Sequence, residues 1–233
     1  MREQFVPKGR ADPGIPPLLI APVYQNLRAM ILSGRLPPGT KLPEEELARH
    51  LNVSRTPLRE AIARLAQERL VNSIPRRGAF IVNFNKQEII EILTLRAVLE
   101  GLAARLAAER ISDEDLAEMT RLFSPKNVRE GQRNPVLLVN ADQHFHELIL
   151  RSTGNSRLQD VMLNLNDQMQ LVRRRTIVLA ARLERSVKEH LDLLDALRRR
   201  DAKGAEAAAL RHVTNVLQAV RDLYEDEPTA EAA

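Results

Sequence analysis

The sequence predicts a mainly α-helical protein of two compact units, with one small β-hairpin between two groups of helices. Three observations lead there. At 233 residues the chain exceeds the usual size of one small domain. Its apolar content is 44%, yet only 3% is aromatic, with no Trp and many Ala, Leu and Arg residues, which lose little freedom in a helix. Apolar positions recur at helical spacing along most of the chain, and only residues 72–82 read as strands.

Residues 1–17 are rich in Pro, Gly and charge and are expected to form a flexible arm. From Pro22 to Ser33 the residues Val23, Leu27, Met30 and Ile31 recur at helical spacing and stop at Gly34. The run from Gly34 to Leu42 reads as a loop, because its prolines remove donors and its glycines favour turns. A second helix is expected from Pro43 to His50, with Leu47 and Ala48 inward, then a turn at Asn52-Val53 leading to Ser54, a natural N-cap. From Arg55 to Arg69, Leu58, Ile62 and Leu65 form one apolar stripe while Arg55, Thr56 and Arg59 project from a neighbouring polar side. The stretch from Asn72 to Val82 then reads as two strands joined by a basic, Gly-containing turn. A hairpin after such a helix is a wing, so residues 18–84 are expected to be a winged helix-turn-helix. Beyond Asn85, helical patterns run at about 86–110, 112–122, 135–153, 155–181, 183–200 and 202–224, with a loop from Ser124-Pro125 to Asn134-Pro135. These form an all-helical unit over 85–225, followed by a flexible tail at 226–233.

Charge separates the two units. Residues 1–85 hold 13 Lys/Arg against 7 Asp/Glu, whereas residues 86–233 hold 22 against 24. A cationic excess confined to one unit suits a surface that neutralises phosphates. The absence of cysteine excludes disulfides, thiolate metal sites and cysteine nucleophiles. No stretch approaches the roughly 18 apolar residues of a membrane helix, so a cytoplasmic protein without membrane association is expected.

The third helix carries the first candidate site. A major groove about 12 Å wide accepts one helix, and Arg suits the two acceptors of a guanine edge. Arg55 and Arg59 lie one turn apart, and Ser54 and Thr56 at the helix start can donate to phosphates. The same arginines could instead solvate a surface helix, paired with Glu60 or Glu45. The string Gly34, Pro38-Gly39, Leu47-Ala48, Val53-Ser54-Arg55-Thr56-Pro57-Leu58-Arg59-Glu60-Ala61, Leu65, Arg77-Gly78 and Val82 resembles the GntR family of winged-helix regulators over about 22–82. The resemblance implies a recognition helix near 54–67, with DNA contacts at Ser54, Arg55, Thr56, Arg59 and a wing tip at Arg77-Gly78. Where some members carry an Arg in the second helix, this chain has Glu45.

The second candidate site lies in the C-terminal unit. Asp142 and His146 are four apart and share one helix face, while His190 and His212 come from later helices. Imidazole and carboxylate donors suit Zn, Ni, Fe or Mn; the spacing alone also fits a surface ion pair. The order Arg96-x-x-x-Glu100, Asp142-x-x-x-His146, Gly154-Asn155, Glu189-His190 and His212 resembles the all-helical FCD domain of the FadR branch of the GntR family, over about 88–222. The resemblance implies a divalent metal ion, Zn favoured, held by Asp142, His146, His190 and His212 beneath a pocket for a small carboxylate. Arg96 then serves as anion partner, or forms a helical ion pair with Glu100. One guanidinium of Arg173-Arg174-Arg175 could enter the pocket, because successive helical residues point about 100° apart. His144 and His50 belong to neither constellation.

The resulting expectation is a homodimeric, ligand-responsive repressor on a pseudo-palindromic operator, with no enzymatic activity. Two alternatives stand beside it: a metal-dependent hydrolase, for which no general base or nucleophile motif is evident, and an architectural DNA-binding protein of weak sequence preference.

Overall fold

The structure, a computed structural model, describes residues 20–176 and 180–225. Expectations for the terminal arm and tail, and for the side chains of Arg173, Arg174 and Arg175, lie outside the described residues. The chain divides between Asn83 and Phe84 into two compact units.

In the first unit, α1 (Ile20–Leu32), α2 (Glu44–His50) and α3 (Arg55–Gln67) precede a hairpin of β1 (Val71–Ile74) and β2 (Gly78–Ile81). The apolar stripes predicted from spacing meet: Leu27, Ile31, Leu47, Leu58 and Leu65 are all fully buried. The hairpin pairs Val71 with Ile81 and Ile74 with Gly78, and the segment before α2 adds to its edge through Leu42 N–H to Ala79 O at 2.8 Å and Ile81 N–H to Thr40 O at 2.8 Å. Ser54 occupies the N-cap of α3 in extended conformation, but its hydroxyl makes no capping hydrogen bond. The N-cap position expected for Ser54 is thus observed without the side-chain bond, and the first-turn N–H groups of α3 stay free of that side chain. Tyr24 is buried, donates to the Glu68 carboxylate at 2.8–2.9 Å, and lies under the Arg64 guanidinium 4.0 Å from its ring centre. Burial first, then the Glu68 hydrogen bond, pushes its phenol up to about 12.

The second unit holds α4 (Lys86–Ala108), α5 (Asp113–Leu122), α6 (Pro125–Arg133), α7 (Pro135–Ser152), α8 (Ser156–Thr176), α9 (Ala180–Arg198) and α10 (Ala202–Glu225). A capping box starts α4, with the Asn85 side chain accepting from Glu88 N–H and Glu88 accepting from Asn85 N–H. α4 packs chiefly on α10, with small buried residues on both sides, Ala97 and Ala104 against Ala205 and Ala209. The backbones approach closely at Gly101, where a β-carbon would stand 3.5 Å from the Glu206 carbonyl oxygen. Phe145 is fully buried on α7.

The loop expected between Ser124 and Pro135 is in fact the helix α6. Its Ser124-Pro125 start is a helix-initiating pair: the Ser124 hydroxyl accepts from Asn127 N–H, and Pro125 sits in the first turn, where its missing N–H has no intrahelical partner to lose. Among the described residues, no helix is long and apolar enough to cross a membrane.

Candidate functional site

In the first unit, α3 presents its N-terminus and polar face to solvent. Ser54, Arg55, Thr56 and Arg59 are all exposed. Both arginines are held by acids of α2: Arg55 pairs with Glu45, and Arg59 Nε lies 2.9 Å from Glu44 Oε2. The partner of Arg59 is therefore Glu44 rather than Glu60. Asn52, at φ 52°, makes the tight turn that brings α2 against α3. At the wing tip Arg76 and Arg77 are exposed, and Gly78 has φ 99°, which favours glycine. Lys41 lies against this tip, its Cε 3.2 Å from the position of a β-carbon on Gly78. No spacing rule marked Lys41; it arrives there because the segment before α2 pairs with β2 at Phe80.

In the second unit, three helices bring Asp142 and His146 (α7), His190 (α9) and His212 (α10) together, with one donor atom from each lying within 4.8 Å of the others. His146 Nε2 and His190 Nε2 are 3.2 Å apart, and Asp142 Oδ1 is 3.2 Å from His190 Nε2, 3.8 Å from His146 Nε2 and 4.0 Å from His212 Nε2. The three histidines are buried. The surface ion pair that spacing also allowed for Asp142 and His146 is thereby excluded. A Zn–N bond of about 2.0–2.1 Å places neighbouring donors on one ion roughly 3 Å apart, so the donor set and its spacing fit a divalent cation.

The remaining ring nitrogens have distinct surroundings. His212 Nδ1 lies 2.8 Å from Glu189 Oε2, and His146 Nδ1 lies 3.1 Å from Glu100 Oε2, an ion-pair distance. A carboxylate behind the outer nitrogen favours the tautomer that turns Nε2 toward the centre. His190 Nδ1 is buried without a hydrogen-bond partner among the described residues; its ring is instead packed by Phe123, stacked at 4.8 Å, and by Phe145 at 4.9 Å. Burial, with the neighbouring His212 charge, pulls His190 down to about 3 and keeps it neutral.

The supporting carboxylates are themselves held by arginines. Arg96 pairs with Glu100 within α4, both nearly inaccessible, so this is a buried pair and not the exposed helical one. Burial alone would raise the Glu100 carboxyl, but Arg96 and then His146 outweigh it and hold it well below the usual carboxylate range. Arg182, which sequence reasoning missed, donates from Nη2 to Glu189 Oε2 at 2.6 Å. Burial of Glu189 is outweighed by hydrogen bonds from His212, Arg182 and Asn215, which bring it to about 2. Arg96 and Arg182 both line a cavity of about 120 Å³, together with Asp142, His190 and His212. The only trace of Arg182 in the sequence is its seven-residue spacing from Glu189, two helical turns on one face. His144 turns away to Glu118 at 2.7 Å.

A family model described as "Bacterial regulatory proteins, gntR family" matches residues 19–81, and a model described as "FCD domain" matches residues 91–215. The chain belongs to the GntR family and carries an FCD domain. The HTH-type transcriptional repressor RspR of Escherichia coli K12 is 26% identical to this GntR-family protein over 88% of the chain and 90% of that repressor. The galactonate operon transcriptional repressor of the same organism is 28% identical over 85% of the chain and 95% of that repressor. E. coli McbR/YncC has the same fold, with a TM-score of 0.72 at 24% identity over 88% of this chain and 98% of that one. Like these relatives, the GntR-family protein is a DNA-binding transcriptional regulator and not an enzyme, which removes the hydrolase alternative.

Proposed function

We propose that this regulator is a homodimeric, cytoplasmic repressor whose hold on a pseudo-palindromic operator is altered by a small carboxylic acid bound beside a divalent metal ion in the FCD domain. The observation that carries the reading is the convergence of three imidazole nitrogens and one carboxylate oxygen in the wall of a cavity whose other surfaces are mostly apolar. Repression is supported by the two relatives named as repressors.

At the DNA, Arg55 and Arg59 would read base edges in the major groove while Ser54, Thr56 and the first-turn N–H groups of α3 hold phosphates. The wing residues Arg77 and Gly78 would contact the backbone beside them, with only glycine allowing the chain reversal at that point. In the FCD domain Asp142, His146, His190 and His212 would hold the metal, zinc being favoured by the nitrogen-rich set. A bound divalent ion would supply positive charge and Lewis acidity toward a carboxylate. Glu100 and Glu189 orient the imidazoles behind it, and Arg96, whose buried Nε has no hydrogen-bond partner among the described residues, would hold the acid. Coupling requires that the acid bind two arrangements of the regulator unequally.

The test is a thermal-shift screen of small carboxylic acids on zinc-loaded and chelator-treated protein, followed by operator binding with each hit. An acid that raises the melting temperature only with metal present, and changes operator affinity, is the expected result. No shift with any acid, in either form, would overturn the effector reading.

A further inference from the structure

Arg182 is more than a support for Glu189. Its Nη2 is engaged by Glu189 and, at 3.3 Å, by the His212 carbonyl oxygen, but its Nε and Nη1 are buried with no hydrogen-bond partner among the described residues. Arg96 leaves a single such donor, Nε. A guanidinium buried with two unmade donors, in the wall of a cavity, is a poor structural element and a good anion receptor, because each unmade bond costs free energy that a ligand oxygen recovers. We propose that Arg182 recognises the effector carboxylate, and that the acid admitted is short, singly charged and poor in hydroxyl groups. This inference rests on the effector reading above.

The charge comes from the groups around the cavity. Among the described residues the cations are Arg96 and Arg182, and the carboxylates are Glu100, Asp142 and Glu189. The three imidazoles are uncharged when they ligate a metal. Over these described groups a divalent ion leaves one positive charge in excess, which one carboxylate neutralises and two overshoot. Without the ion the same groups sum to a negative charge, which disfavours an anion.

Size and polarity follow from the lining. Leu93, Val139, Val187, Val213, Val216 and Val220 are among its lining, and apart from the imidazoles Ser186 is the one neutral side chain among the described lining residues that offers a hydrogen bond. A polyhydroxylated acid would bury several hydroxyls against these aliphatic groups with nothing to receive them. A cavity of about 120 Å³ also restricts the chain length. A short acid with one further oxygen, a 2-hydroxy or 2-oxo acid, satisfies Arg182 and Ser186 and leaves its alkyl end among the valines.

Calorimetric titration of the zinc-loaded, full-length protein with lactate, 2-oxobutyrate, succinate and gluconate tests this. Lactate or 2-oxobutyrate is expected to bind at least tenfold more tightly than succinate and gluconate. Arg182→Gln should weaken that binding at least tenfold, with zinc still bound at one per chain by elemental analysis and the far-UV spectrum unchanged, and Arg182→Lys should recover part of it. Should Arg182→Gln lose its zinc, Arg182→Lys decides alone: zinc retained with acid binding weakened supports the assignment. Undiminished acid binding in a zinc-loaded Arg182 variant, or gluconate or succinate binding as tightly as the short acids, overturns this inference alone. No binding of any acid to the zinc-loaded wild-type protein overturns the effector reading itself, and this inference with it.

Discussion

Glu44 and Glu45 change what Arg59 and Arg55 bring to DNA. Both pairs are largely exposed, so each contributes little to folding, about 0–1 kcal/mol. On the proposed interface, however, each arginine exchanges a carboxylate for a DNA acceptor and so releases fewer counterions than a free cation would. Replacing both acids by Gln is expected to raise operator affinity and steepen its dependence on log salt, by up to about one unit per freed cation, in fluorescence anisotropy between 50 and 200 mM salt. Arg59→Ala should lower specific affinity by about 1–3 kcal/mol and relax the selected motif; unchanged affinity and motif would remove it from the interface. Tyr24 gives a pH prediction. Its folded-state value of about 12 lies above the ordinary 10, so the neutral phenol stabilises the first unit fully below pH 10 and that stabilisation is lost as pH rises through 12. Tyr24→Phe should flatten the alkaline decline of the denaturation midpoint. Residues with a chemical role and a local spacing were legible in the sequence: Asp142 and His146 through their four-residue step, Arg55 and Arg59 through theirs. Glu44, Lys41 and Arg182 were not, since each acquires its partner only through contacts between separate elements.

The helices were read where an apolar stripe had to be buried, and α6 shows where that signal ends. Gly131 is its only buried residue, so there is no apolar period to detect, and the prolines at either end of the stretch looked like loop punctuation although both Pro125 and Pro135 open helices. What fixes α6 is shape. A β-carbon on Gly131 would fall 2.3 Å from Leu138 Cγ and 2.8 Å from its Cδ2, and Leu138 is itself buried on α7. Helix propensity alone predicts that Gly131→Ala gains about 1 kcal/mol. The overlap with a packed side chain predicts a loss of about 1–3 kcal/mol, and the loss should prevail in urea denaturation. A gain would mean that α6 lifts from α7 without penalty.

At the scale of the whole chain, the uneven charge and the two family motifs foretold a DNA-binding regulator, whereas the cavity and its arginines required the helices to be assembled. Metal binding should register as stability of the FCD domain. Zinc at a hundredfold excess over its dissociation constant contributes about 2.7 kcal/mol, so chelation should lower the unfolding transition of that domain and leave that of the winged helix in place by calorimetry. His190→Ala should make the protein indifferent to chelator; an undiminished zinc response would exclude His190 from the ligand set. The reach of the site carries a further meaning. His146 and His190 are 44 residues apart along the chain, and His212 lies a further helix away. In a protein without a single cysteine, an ion gripping α7, α9 and α10 at one point would be the sole available cross-link among them, closing long loops as a disulfide does but reversibly. The regulator would then be stapled only where the surroundings furnish the metal, and a metal-starved cell would possess a looser molecule before any acid reached it.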